Sequence, residues 1–207
     1  NGGDGGDTAD SAHTYDISQK LTANGYARTG YAFAGWAESA GGPVKYMDKE
    51  NVENLTATNG ATLTLYAAWT PNSYTVHFDA REGTVSPASK EVTYDSAYGA
   101  LPEPTRSGYG FGGWFTGADG SGTEITSTTV VKITADQTLY ACWSPISYTV
   151  EYNANGGDGG DTADSAHTYD ISQKLTANGY SRTGYAFAGW AESAGGPVKY
   201  ADKDDVV

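Results

Sequence analysis

The chain repeats itself, and that repetition limits what it can fold into more than any other feature: Asn1 to Tyr46 recurs as Asn155 to Tyr200 with one difference, Ala27 against Ser181. The offset of 154 (155 − 1) in a chain of 207 residues argues against one large core and for tandem small ones. A more diverged similarity lies inside that period. Arg28-Thr29-Gly30-Tyr31-Ala32-Phe33-Ala34-Gly35-Trp36 aligns with Arg106-Ser107-Gly108-Tyr109-Gly110-Phe111-Gly112-Gly113-Trp114 and with the run Arg182 to Trp190, which contains Gly184, Tyr185 and Phe187. The chain therefore holds three units in the order A, B, A, each marked by R-[TS]-G-Y-x-F-x-G-W.

Two equivalent passages, Leu63 to Phe78 and Leu139 to Tyr152, set the boundaries. In each, an aromatic strand closes on a tryptophan, Trp69 or Trp143, followed two residues later by proline, and a new strand opens at Tyr-Thr-Val. The expected domains are 1–70, a type A repeat lacking its first strand; 71–145, a complete type B repeat; and 146–207, a type A repeat lacking its last strand. Two incomplete repeats suggest a segment of a longer array, or units completed by neighbouring copies through strand addition into a fibre. Open sheet edges are otherwise an aggregation hazard.

The fold class reads as mostly β, α+β at most. Tyr74, Val76 and Phe78 alternate with Thr75 and His77, and Leu63, Leu65, Ala67 and Trp69 alternate with Thr64, Tyr66 and Ala68, the period of strands buried on one face. Glycines punctuate these runs, and Gly35, Gly113 and Gly189 read as bulges or points of close approach. A single helical turn or two is expected after Asp16, where Asp16 and Gln19 fit a capping box and Ile17 and Leu21 share a face. Units of about 75 residues are small for an independent core. Cys142 is the only cysteine, so no disulfide forms within the chain, and the aromatic residues must supply the buried area.

Candidate chemistry is sparse. Asp4, Asp7 and Asp10, repeated as Asp158, Asp161 and Asp164 among glycines, offer carboxylates that suit calcium. Their spacing of three is not that of an EF-hand, and a solvated turn-rich loop is the competing reading. His13 and His167 are expected as solvated polar residues and His77 as pointing off the aromatic face. Cys142 aligns with Ala68, which fits a packed small side chain. Trp36, Trp114 and Trp190 are expected in the cores, the alternative being exposed platforms for sugars or a protein partner. No catalytic constellation and no cofactor other than calcium emerges.

The three R-[TS]-G-Y-x-F-x-G-W copies, the Asn153-Ala154-Asn155-Gly156-Gly157 run after a Tyr-x-Val strand, and the closing Leu-Tyr-Ala-x-Trp together resemble the Listeria-Bacteroides repeat, also called the internalin-type B repeat. The resemblance covers essentially the whole chain. It implies a tandem β-grasp, ubiquitin-like fold with very short helical turns, an extracellular or bacterial cell-surface location, and a spacer or adhesive role. Arg81-Glu82-Gly83 departs from the Asn-Gly-Gly form, so the first hairpin of repeat B is expected to differ.

A net charge of −13, from 25 acidic against 12 basic side chains, opposes nucleic-acid binding. No membrane span is present in the segment. The partners left are neighbouring repeats or other copies of the chain, and a host protein or glycan. Two functional readings follow: a structural stalk, or an adhesin using exposed tyrosines and the acidic loops.

Overall fold

The computed structural model describes residues Gly2–Val207. Nearly every ordered element is a strand, and among the described residues the only helical element is a 3-10 turn at Ala118–Gly120. The main strands are β1 (Tyr31–Ala37), β2 (Tyr66–Pro71), β3 (Ser73–Asp79), β4 (Ser89–Thr93), β5 (Tyr109–Phe115), the two-residue edge strand β6 (Glu124–Ile125), β7 (Gln137–Pro145), β8 (Ser147–Val150) and β9 (Ser165–Thr168). Strand β7 is central in a five-stranded sheet of order β6-β5-β7-β3-β4. The chain forms two compact units, one of Asn1–Asp79, Ser86–Pro102 and Thr123–Leu139, the other of Ala80–Val85, Glu103–Gly122 and Tyr140–Val207. Repeat B contributes to both.

In the first unit β1 and β2 pair antiparallel, from Tyr31 opposite Pro71 to Ala37 opposite Tyr66, with a register shift between Phe33 and Gly35. Strict alternation would put Phe33 and Trp36 on opposite faces. The extra residue of the bulge returns both to one face, where their rings meet edge-on with centroids 5.0 Å apart. Gly35 is required there: its φ is 144°, and a Cβ would lie 2.5 Å from Val44 Cγ1 and 2.7 Å from the Tyr46 carbonyl. Trp36 then packs with Leu21, Val52 and Ala67 as a buried cluster flanked by Phe33 and Trp69. Further along, β3 and β4 pair from Ser73 opposite Thr93 to His77 opposite Ser89. Val76 and Phe78 are buried and His77 is exposed, as alternation requires.

The helix expected after Asp16 does not form. Asp16 has φ 58°, a left-handed conformation that interrupts a right-handed helix at its start. The Thr14 amide donates to Gln19 Oε1 at 2.6 Å and the Asp16 amide to Asn54 Oδ1 at 2.6 Å, so the capping-box residues close a turn instead. Gln19–Lys20 pairs as a short strand with Asn51–Val52, burying Leu21 and leaving Ile17 exposed.

In the second unit β5 and β7 pair with a register shift between Ala141 and Trp143, and Gly113 has φ 117°. Phe111 meets Trp114 and Trp143 edge-on at 5.5 and 5.6 Å, the same arrangement as in repeat A. The first hairpin of repeat B keeps the turn expected to change: Arg81 and Glu82 have φ 46° and 64°, matching Asn155 and Gly156 at 46° and 85°. Two adjacent left-handed residues are the geometry an Asn-Gly hairpin turn needs. Arg106 brackets this one by donating to Glu82 Oε2 at 2.6 Å. Strand β8 pairs with β9, Ser147 opposite Thr168 and Val150 opposite Ser165. That pairing overturns the expectation of a solvated His167: it is only 2% exposed, stacked on Tyr148 at 5.5 Å, with Nε2 2.8 Å from Ser165 Oγ.

Candidate functional site

The signature R-[TS]-G-Y-x-F-x-G-W divides into two halves with different work. Phe33 and Trp36, and likewise Phe111 and Trp114, face inward, and Trp36 and Trp114 are buried. Trp69 and Trp143 cover them from the paired strand and are half-buried. The indole of Trp143 donates to the Ala80 carbonyl at 2.8 Å. These tryptophans are core residues.

The Arg-x-Gly-Tyr half faces the next repeat. Arg28 stacks over the Tyr31 ring at 3.8 Å, Tyr31 meets Tyr94 edge-on at 5.6 Å, and its hydroxyl donates to Asp95 Oδ2 at 2.6 Å. Lys132 closes on the same carboxylate. Gly30 makes this approach possible, because any Cβ there would overlap the Tyr94 ring. The backbone completes the junction: Asn72 N–H donates to the Gly30 carbonyl and Tyr94 N–H to the Asn72 carbonyl, both at 2.9 Å. The Lys132 ammonium and the hydrogen bond from Tyr31 hold the Asp95 carboxyl below its ordinary range, and the Asp95 acceptor pushes the Tyr31 phenol up.

The second unit repeats this arrangement with different residues. Arg106 lies 3.7 Å over Tyr109, Tyr109 meets Tyr169 at 5.8 Å, and its hydroxyl donates to Asp170 Oδ2 at 2.8 Å. A Cβ at Gly108 would overlap Tyr169, and Ile146 takes the place of Asn72, bonded to Gly108 and Tyr169. In the third copy Arg182 lies 4.1 Å over Tyr185, but Tyr185 is 69% exposed and nothing lies within 4 Å of a Cβ built on Gly184. Phe187 is exposed as well, while Trp190 is half-buried against Phe187 at 4.8 Å and Tyr152 at 4.6 Å.

The residues that fill these sockets form a triplet that the motif reading passed over. Thr14-Tyr15-Asp16, Thr93-Tyr94-Asp95 and Thr168-Tyr169-Asp170 occur once per repeat. Each makes the same turn: the threonine carbonyl accepts from the residue three on, at 3.3, 3.1 and 3.2 Å, and the aspartate has φ 58°, 62° and 59°. The triplet was legible in the sequence. It was obscured because repeat A surrounds it with a convincing helix-capping pattern.

The aspartate loops serve the backbone. Asp4 Oδ2 accepts from the Thr29 amide at 2.7 Å and Asp158 Oδ2 from the Thr183 amide at 2.8 Å, and these bonds lower both carboxyl pKa values. Each bond ties its loop to the turn that carries the arginine and glycine of the socket. Asp7, Asp10, Asp161 and Asp164 do not join them: among the described residues no three His, Cys, Asp or Glu side chains converge as a metal ion requires. Cys142 is half-buried, with the backbone of Gly112 and Gly120 beside it. One open hollow of about 400 Å³ lies in the first repeat, lined by Tyr26, Tyr66, Leu65, Trp69 and glycines. No helix among the described residues is long and apolar enough to cross a membrane.

Comparison with known proteins agrees with the internal repeats. The family model described as the Listeria-Bacteroides repeat domain matches residues 1–68, 74–142 and 148–207. A protein of Evansella cellulosilytica named as a Gly-rich membrane protein is 31% identical over 79% of this chain and 19% of its own length. Internalin H of Listeria monocytogenes is 34% identical over 63% of this chain and 21% of its own length. The chain thus spans about a fifth of the length of these relatives. No solved structure matches it.

Proposed function

The chain belongs to the Listeria-Bacteroides repeat family, and from that premise we propose that it is a structural spacer of a bacterial surface or secreted protein, non-catalytic, holding other parts of that protein away from the cell wall. The observation that carries this reading is where the signature residues are used. In the first two repeats the aromatic half goes to the repeat's own core and the Arg-x-Gly-Tyr half to the neighbouring repeat, so the shared residues are spent on building an array. The β-grasp plan is part of this reading, with its crossing helix replaced by non-helical chain. A helical signature in far-ultraviolet circular dichroism would count against it.

The test is surface display. Inserted between a cell anchor and a terminal epitope, the chain is expected to raise antibody access to the epitope, and substitution of exposed Tyr15 and Tyr26 to leave that access unchanged. No gain in access removes the spacer reading.

The hollow lined by Tyr26, Tyr66 and Trp69 favours a second reading, an adhesin for a glycan or host protein. Stacking rings beside glycine backbone suit a sugar face. Saturable heat with a glycan panel, lost in Tyr26→Ala, would establish it. Calcium on the loops of Asp4, Asp7 and Asp10 and of Asp158, Asp161 and Asp164 stands as an accessory proposal supported by their repetition, and a calcium titration without saturable heat removes it.

A further inference from the structure

Each completed junction brings two tyrosines together beside a carboxylate, and the spacer role uses only their packing. At the first, Tyr31 and Tyr94 meet edge-on with ring centroids 5.6 Å apart, and the Tyr31 hydroxyl donates to Asp95 Oδ2 at 2.6 Å. At the second, Tyr109 and Tyr169 meet at 5.8 Å, and the Tyr109 hydroxyl donates to Asp170 Oδ2 at 2.8 Å. All four rings are half-buried, with Tyr94 lying on Gly30 and Tyr169 on Gly108. An arginine covers the face of one ring of each pair, Arg28 at 3.8 Å from Tyr31 and Arg106 at 3.7 Å from Tyr109. A guanidinium there disfavours positive charge on the ring, so an electron leaves the ring only if the phenolic proton leaves with it. The carboxylate already holds that proton in a hydrogen bond.

We propose that Tyr31 with Tyr94, and Tyr109 with Tyr169, are sites of oxidative coupling, each pair closing into a dityrosine that links successive repeats covalently, with Asp95 and Asp170 as the proton acceptors. The oxidant is a one-electron acceptor fed by a peroxide. Oxidation of Tyr31 sends one electron to it and the phenolic proton to Asp95; oxidation of Tyr94 sends a second electron to it and a proton to solvent. The two phenoxyl radicals join through their ortho carbons in one C–C bond, and the two ortho hydrogens move to the oxygens and restore both phenols. Two electrons and two protons leave per link, and together they reduce one hydrogen peroxide to two waters. Coupling inside a junction is effectively unimolecular because the rings are held side by side. Cys142 is the only cysteine, so tyrosine coupling opens to the chain a covalent link that disulfides cannot supply. The proposal adds a chemistry to the junctions and does not depend on what the array projects.

A short light pulse on the dilute full chain with ruthenium tris-bipyridyl and persulfate tests it, the persulfate standing in for peroxide and ending as two sulfates. Digestion and mass spectrometry then locate each link. Peptides joined through Tyr31 and Tyr94, and through Tyr109 and Tyr169, are expected in protein of monomeric mass, each pair two hydrogens lighter than the sum of its parts. Tyr94→Phe keeps a ring on Gly30 and removes the phenol, so it is expected to abolish the first link and spare the second; Tyr169→Phe does the reverse. Asp95→Asn keeps an acceptor oxygen beside Tyr31 but no base, and is expected to slow the first link by roughly tenfold or more while the second keeps its rate. The untouched junction and an unchanged circular dichroism spectrum show that each variant folds. No linked peptides, links spread over other tyrosines, links only between copies, or the same links in urea-unfolded chain overturn the proposal, as does an Asp95→Asn chain that couples at the original rate. The spacer reading survives each of these outcomes.

Discussion

At the scale of single residues, three glycines in the same motif position separate packing from backbone strain. Gly30, Gly108 and Gly184 have φ 76°, 78° and 78°, so alanine at any of them costs roughly 1–2 kcal/mol for the left-handed backbone alone. At Gly30 and Gly108 the new methyl also overlaps a tyrosine ring. Gly30→Ala and Gly108→Ala should therefore destabilise by about 3 kcal/mol or more in chemical denaturation, and Gly184→Ala by the smaller figure only. Asp4 and Asp158 set an acid limit. Their folded pKa values lie below the ordinary one, so their contribution is complete above about pH 4, the unfolded value, and disappears as pH falls through the folded value. The difference in melting temperature between the chain and Asp4→Asn is expected to be constant near neutrality and to shrink below about pH 4. His167 shows what no local reading can supply: it is buried because β8 pairs across it, about twenty residues earlier in the chain.

At the scale of elements, the bulges and strands were legible and the turns were not. Gly35 and Gly113 announced the bulges because the spacing of Phe and Trp is odd, and only an inserted residue reconciles it with one buried face. The Asp16 segment misled because a left-handed aspartate and a capping aspartate look alike in sequence. The Arg81-Glu82 hairpin misled in the opposite direction, its fold surviving without the residues that favour it. Asn tolerates the left-handed region better than Arg does, and the Arg81–Asp119 contact at 3.5 Å is exposed and contributes little. Arg81→Asn is accordingly expected to raise stability by about 0.5 kcal/mol, measured as a higher denaturant midpoint at unchanged slope. The candidate site was half legible: the signature stood out, but no role was read for its Arg and Gly, and the partner triplet lies more than 60 residues from the socket tyrosine, at Asp95 and Asp170.

At the scale of the whole molecule, charge opposes association. Each copy carries −13, so copies repel at low ionic strength. Weak self-association of the chain is expected to strengthen from about 10 mM to 500 mM salt, where the screening length falls from about 30 Å to a few Å, and sedimentation at fixed protein concentration measures it. A contact dominated by its own ion pairs would weaken instead.

The second copy of the signature strand also shapes how the chain reaches its fold. Residues 185–191 repeat the sequence of β1 without change, so both copies present the same edge to Tyr66–Pro71. During refolding β2 has two chemically equal suitors, one close along the chain and one far, and loop closure favours the near one without excluding the other. Each wrong choice must be undone before the native sheet forms, a trap characteristic of repeated sequences. Refolding is expected to show a minor slow phase that Phe187→Ser abolishes, since that change disables the competitor and leaves β1 intact; a slow phase that persists in the variant has another origin.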